Sequence, residues 1–133
     1  MKKLLTALLV APAIAFASGA ALHLDKAPEV QRDNAALQSG ARTFVNYCMN
    51  CHGLSFVRYT RLTEIGLSEQ EIKDHLLFTA DKIGEKMRVA ARPAEQKIWF
   101  GATPPDLSLV ARARASEDGS GADWLYTYLR SFY

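Results

Sequence analysis

An all-α domain with long loops is what this 133-residue sequence predicts, on three observations. Apolar residues recur at helical spacing in stretches opened by Asp33 or Asn34, by Ser68 and by Asp123. No βαβ pattern is visible. Between the helical stretches lie long segments marked by proline and glycine, above all Gly101-Ala102-Thr103-Pro104-Pro105-Asp106-Leu107-Ser108.

Residues 1–22 open with Lys2 and Lys3 and run uncharged from Leu4 to Leu22. A basic start, an apolar stretch interrupted by Pro12, and small residues at Ala15-Phe16-Ala17 predict a signal peptide over 1–17, removed on export, leaving residues 18–133. An uncleaved anchor is the alternative, because the uncharged run approaches the length that spans a bilayer; Pro12, Ser18 and Gly19 weigh against it. Loss of the two lysines takes the formal net charge from +2 to neutral. Nucleic acid is therefore not expected as a partner, and Arg58, Arg61, Arg88, Arg92, Arg112 and Arg114 are spread among acids on solvated faces.

His23 and Asp25 belong to a proline-punctuated leader ending near Pro28, expected to pack over the domain as a strand or loop. From Asp33 or Asn34, either of which can cap, a helix runs on through Leu37, Ala41, Phe44, Val45 and Cys48. Gly40 lies one turn before Phe44, where another backbone or ring could approach closely.

That helix delivers Cys48-Met49-Asn50-Cys51-His52, which holds both cysteines of the chain and a histidine directly behind the second. Covalent attachment of c-type haem is its plainest reading. Positions three apart on a helical turn share a face, so both thiols can reach the vinyl edges of one porphyrin, and His52 follows as the iron ligand. Its other ring nitrogen needs a carbonyl or carboxylate to fix the tautomer. Zinc and a redox dithiol remain alternatives, but zinc wants four ligands and only His23, His52 and His75 could complete such a site. Export supports the haem reading, since c-type haem is expected outside the cytoplasmic membrane.

Gly53 to Leu62 mixes aromatic and basic residues and is expected to pass the haem edge, with Phe56 and Tyr59 covering porphyrin or packing in the core. Ser68-Glu69-Gln70-Glu71 is a capping box, followed by Ile72, Leu76 and Leu77 on one side of a helix, with His75 half-buried beside them. Residues 81–92, with Met87 among them, read as a surface excursion. Pro93 starts a short helix ending after Phe100 at Gly101. Pro104 and Pro105 fix an extended backbone, and Asp106 can cap a helix that begins at Leu107 and carries Arg112 and Arg114 near its end. Those arginines point in different directions, so at most one readily serves one haem carboxylate. A loop from Ser116 to Gly121 precedes a last helix with one-turn pairs Trp124/Tyr128 and Leu125/Leu129.

Taken together, Leu37-Gln38-Ser39-Gly40-Ala41 before the haem motif, then Arg58-Tyr59, Trp99-Phe100-Gly101, Pro104-Pro105-Asp106-Leu107-Ser108 and Arg112-Ala113-Arg114, resemble the bacterial cytochrome c1 family, the haem subunit of ubiquinol-cytochrome c reductase. The likeness runs from about His23 to Tyr133. It implies a cytochrome c-like haem domain at the periplasmic face of the bacterial inner membrane. There one covalently bound haem c passes an electron from the Rieske iron-sulfur protein to a soluble cytochrome c, in a complex with cytochrome b that holds it at the membrane. The subunit is non-catalytic in itself. Residue by residue, the resemblance makes Cys48 and Cys51 the thioethers, His52 the axial ligand, Arg114 and then Arg112 the propionate neighbours, and Pro104 and Pro105 the lining of the haem pocket.

Family members continue past this point, with a methionine as sixth iron ligand and a C-terminal membrane helix, so the sequence reads as a truncated member. Met49 cannot swing to the opposite haem face, and Met87 precedes the proline motif, where the family does not place its ligand. An altered potential and binding of exogenous ligands are expected of such a fragment. A free periplasmic c-type cytochrome, and a haem sensor or peroxidase-like protein with an open iron site, are the competing readings. No distal acid-base group and no G-x-S-x-G, P-loop or H-E-x-x-H supports an enzyme.

Overall fold

A computed structural model describes residues 23–132; the expected signal peptide lies outside the described residues. Five α-helices follow in order: α1 (Asn34–Thr43), α2 (Glu69–His75), α3 (Pro93–Phe100), α4 (Val110–Ala113) and α5 (Gly121–Arg130). A seven-residue 3₁₀ segment, Tyr59–Ile65, links the first two. The one departure from an all-helical plan among the described residues is a small antiparallel pair, β1 (Leu54–Arg58) with β2 (Lys86–Met87). Leu54 pairs with Met87 and Arg58 with Lys86, so the register breaks between them.

The helix boundaries follow from their caps. The Asp33 carboxylate accepts from the Ala36 N–H at 3.0 Å and starts α1. The Ser68 hydroxyl accepts from Glu71 N–H while the Glu71 carboxylate accepts from Ser68 N–H, the reciprocal pair read from the sequence. Helix α3 has Pro93 in its first turn and stops at Gly101, whose φ of 76° is left-handed. Ser120 and Asp123 repeat the reciprocal cap on α5.

Asp106 does not cap a helix at Leu107. Helix α4 starts later and is four residues long, and the Asp106 carboxylate is committed elsewhere. The leader is extended without pairing as a strand. Asp25 N–H donates to Thr127 Oγ1 at 2.8 Å, and Ala27 N–H and Lys26 Nζ both reach the Asp123 carboxylate, at 2.9 and 3.1 Å. The start of the described chain is thereby strapped to its last helix.

The apolar core is confined to the first part of the fold. Val45, Met49, Tyr59, Ile72, Leu76 and Met87 are buried, with Phe44, Leu54, Val57 and Leu62 packed against them. Burial of side chains such as Ile72 and Met87 contributes roughly 1.5–3 kcal/mol each. Two expectations change here. Met87 is not part of a surface excursion but sits in the core at 2 % exposure, because β2 turns it inward against Leu54. His75 is exposed, not half-buried.

After Met87 no apolar side chain among the described residues is buried. Gln96, Gly121 and Asp123 are, whereas Ile98 stays 81 % exposed and Trp99, Phe100, Leu109, Leu129 and Phe132 are each more than half exposed. A run of large apolar groups without partners over one part of a domain differs from the scattered exposed apolar residues any surface carries.

Candidate functional site

Helix α1 changes pitch as it enters the cysteine motif. Phe44–Cys48 form a π-helical turn, closed by Met49 N–H on the Phe44 carbonyl at 2.9 Å. Both Cys51 N–H and His52 N–H then return to the Cys48 carbonyl, at 3.1 and 2.8 Å. The widened turn, a feature common at functional sites, folds the five residues into one knot and keeps both thiols free and half-buried. Met49 is turned the other way. It is 2 % exposed, and its sulfur accepts from the hydroxyl of fully buried Tyr59 at 3.8 Å.

The ring of His52 is fixed by a single polar contact. Nδ1 lies 2.8 Å from the carbonyl of Pro105. A carbonyl oxygen can only accept, so Nδ1 carries the proton, and in the neutral ring Nε2 keeps its lone pair. That is the tautomer an iron-ligating imidazole needs, with the second partner the sequence left unnamed now identified as a backbone carbonyl. From the other side, Gln96 Nε2 donates to the Cys51 carbonyl at 3.0 Å and is itself 2 % exposed, which ties α3 to the motif.

The proline segment is laid along the residues that follow His52. Leu107 N–H donates to the Gly53 carbonyl at 2.9 Å, Ser55 N–H to Asp106 Oδ2 at 2.7 Å, and Phe56 N–H to Ser108 Oγ at 3.1 Å. Partial burial would raise the Asp106 pKa, but the hydrogen bonds from Ser108 and Ser55 outweigh it and hold the carboxyl at about 2.

Pro105 thus meets His52 through its carbonyl, with Pro104 directly before it in the chain. Arg112 lies exposed within α4, and Arg114 caps its end. The Arg114 guanidinium sits 4.4 Å from the centroid of the Trp124 ring, Trp124 stacks on Tyr128 at 4.9 Å, and Tyr128 meets Phe132 edge-on at 5.1 Å. Neither arginine makes an ion pair among the described residues. Phe56 is 70 % exposed on β1, while Tyr59 belongs to the core and bonds Thr79 Oγ1 at 3.0 Å. His23 is exposed in the leader.

The roles of Gln96, Gly121 and Asp123 were missed by sequence reasoning, which placed Asp123 at the start of the last helix, whereas the helix begins at Gly121. A buried glutamine in a short amphiphilic helix carries no local mark, and the close approach expected at Gly40 occurs at Gly121 instead. A Cβ on Gly40 would meet nothing within 4 Å, whereas one on Gly121 would fall 1.6 Å from the Ala111 carbonyl oxygen.

The residues present fit a haem c. Two free thiols flank one turn, the next residue offers an oriented imidazole nitrogen, and the chain beyond Met87 presents apolar and aromatic groups that a flat macrocycle could cover. A concavity of about 620 Å³ between α1 and α2, lined by Gln38, Ser39, Arg42, Glu71 and His75, includes none of these residues.

Comparison with known proteins places residues 25–133 on the model of the Cytochrome C1 family. The whole chain aligns at 50 % identity with 54 % of the ammonia monooxygenase gamma subunit of Nitrosomonas europaea. It aligns at 44 % identity with 53 % of cytochrome c1 of Allochromatium vinosum. At 31 % identity, 69 % of the chain matches 16 % of cytochrome b/c1 of Bradyrhizobium diazoefficiens. The chain spans about half the length of the first two of these relatives.

Proposed function

The chain belongs to the cytochrome C1 family, and we propose that it holds one haem c through Cys48, Cys51 and His52 and serves as an electron-transfer subunit. The observation that carries this reading is the His52 ring, whose Nδ1 is committed to the Pro105 carbonyl and whose Nε2 is left as the ligating atom. Bound there, the haem would supply one-electron chemistry, and the protein tunes and positions it.

The chain's own residues then divide the work. Cys48 and Cys51 would form the thioethers; the π-helical turn ends on Cys48, both thiols are free, and Met49 between them is anchored in the core. Pro104 and Pro105 would line the pocket, and the Pro105 carbonyl is aimed at the ligand. Arg114, steadied over Trp124, and Arg112 offer guanidinium groups for the propionates. The partners of this reading are the Rieske iron-sulfur protein as donor, a soluble cytochrome c as acceptor and cytochrome b within the same complex, at the periplasmic face of the inner membrane. Support for the complex comes from the cytochrome c1 and cytochrome b/c1 relatives.

Mass spectrometry of the exported chain together with a pyridine haemochrome spectrum tests the cofactor. The expected result is the mass of the processed polypeptide plus one haem and the spectrum of two saturated thioethers; a polypeptide with no added mass, made in a host that matures such proteins, overturns the reading. The name of the 50 % identical relative gives a second assembly to test, an ammonia monooxygenase. Membrane extraction and co-purification separate the two, since recovery with a Rieske protein and cytochrome b supports the reductase.

A further inference from the structure

The proline rings of Pro104 and Pro105 fix φ, but the direction of the Pro105 carbonyl depends on ψ, and ψ is set by what holds the residue that follows. That residue is Asp106. Its Oδ2 accepts from Ser55 N–H at 2.7 Å and its Oδ1 from Ser108 N–H at 2.9 Å, so one carboxylate spans β1 and the proline segment. Leu107 N–H on the Gly53 carbonyl, at 2.9 Å, holds the next peptide, Asp106–Leu107, against the residue that follows His52. Gly53 lets the segments come this close, because a Cβ there would stand 3.2 Å from Asp106 Oδ2. Asp106 is therefore held both through its carboxylate and through the peptide that follows it, and the Pro105 oxygen on its other side stands 2.8 Å from His52 Nδ1.

We propose that Asp106 is a positioning residue for the haem iron: by clamping the Pro105–Asp106 peptide it holds the carbonyl on His52 Nδ1–H and so sets the orientation and basicity of the ligating imidazole. This rests on the reading of His52 as the axial ligand. Asp106 touches neither imidazole nor porphyrin, and its effect passes through one backbone oxygen. Loss of the clamp frees ψ of Pro105, lengthens the Nδ1–H···O contact and leaves the ring less electron-rich.

The test uses the haem-bound chain uniformly labelled with ¹⁵N, so that the His52 ring and the backbone amides are read together. In Asp106→Ala, exchange of the His52 Nδ1 proton with water is expected to accelerate roughly tenfold or more, as loss of charge-assisted hydrogen bonds implies, and the midpoint potential shifts. The backbone amides of Ile72 and Leu76 report global opening and are expected to exchange as slowly as in the parent. Asp106→Asn, isosteric and keeping one acceptor oxygen, gives the same direction and serves if the alanine variant does not accumulate. An Nδ1 proton that exchanges as in the parent, or that accelerates only as much as the Ile72 amide, overturns the proposal. A parent chain without covalent haem instead overturns the haem reading, so the two failures are distinguishable.

Discussion

Replacing Gly121 by alanine adds one methyl group at the glycine with the least room for it among the described residues. The new Cβ would lie 1.6 Å from the Ala111 carbonyl oxygen, 2.4 Å from its carbon and 2.7 Å from its Cα. All three are backbone atoms, so no side chain can rotate away, and α5 must move off α4 by well over an ångström. Gly121 has no positive φ, and the cost is therefore steric and not conformational. Overpacking of this kind costs typically about 1–3 kcal/mol, and the backbone on both sides puts the change at the upper end, near 3. For a domain of this size roughly 4–8 °C is lost per kcal/mol, so thermal unfolding of the haem-bound chain should show a midpoint lower by roughly 10 °C or more. The shift of α5 also carries Trp124 away from the Arg114 guanidinium, which now stands 4.4 Å from its ring. A melting midpoint within about 2 °C of the parent would refute the reasoning, because it would mean that α4 and α5 separate at almost no cost.

Gly40→Ala is expected to do the reverse: the position is inside α1, a Cβ there meets nothing within 4 Å, and the gain in helix propensity of about 0.5–1 kcal/mol should raise the melting midpoint by several degrees. Trp124→Leu removes both the face under Arg114 and the stack on Tyr128, and thermal unfolding should register a loss of about 1–2 kcal/mol. The double change Cys48→Ala with Cys51→Ala should leave the purified chain with no haem that survives acid-acetone extraction. Acid should weaken the fold through Asp106, whose carboxyl is held at about 2 against an ordinary 3.8. A lowered folded-state pKa contributes stability that is complete above about 4 and lost as the pH falls towards 2. Screened by solvent, the contribution is about 1 kcal/mol. Urea unfolding at both ends of that window, with Asp106→Asn for comparison, should show the variant losing less.

What could be read from the sequence was whatever a local rule governs. The capping pair at Ser68 and Glu71 and the Pro93 start with its Gly101 stop involve atoms a few residues apart, and each appears where the pattern placed it. The spacing of the cysteine motif is plain in the sequence, and what the structure adds to it is the Pro105 carbonyl on His52 Nδ1. Long-range commitments were not. Asp106 has the side chain of a helix cap and stands before a helical pattern, yet Ser55, fifty-one residues away, competes for it and wins. Met87 sat in a charged stretch without a period, and only the pairing of β2 with β1 turns it inward. Gly40 and Gly121 look alike in sequence; what distinguishes them is the Ala111 carbonyl, which no local pattern announces.

The division of the fold gives these particulars a common cause. From Phe44 to Met87 the chain packs apolar groups against one another, so its elements hold each other directly. Beyond Met87 no apolar side chain among the described residues is buried, and polar links hold the segments: Gln96 to Cys51, Asp106 to Ser55, His52 to Pro105, and Asp123 to the leader. Hydrogen bonds fix direction more sharply than apolar contact does, at a net gain of only about 1 kcal/mol each. A segment held this way has its backbone placed while its large apolar side chains remain free for a further apolar surface, and the motif at Cys48, Cys51 and His52 stands where the two kinds of packing meet. The same logic accounts for the carboxylates. Hydrogen bonds from Ala27, then from Ser120 and Lys26, hold the Asp123 carboxyl well below its usual range, and Asp106 is held low as well. Each is a single charged group asked to fix two segments that apolar packing does not join.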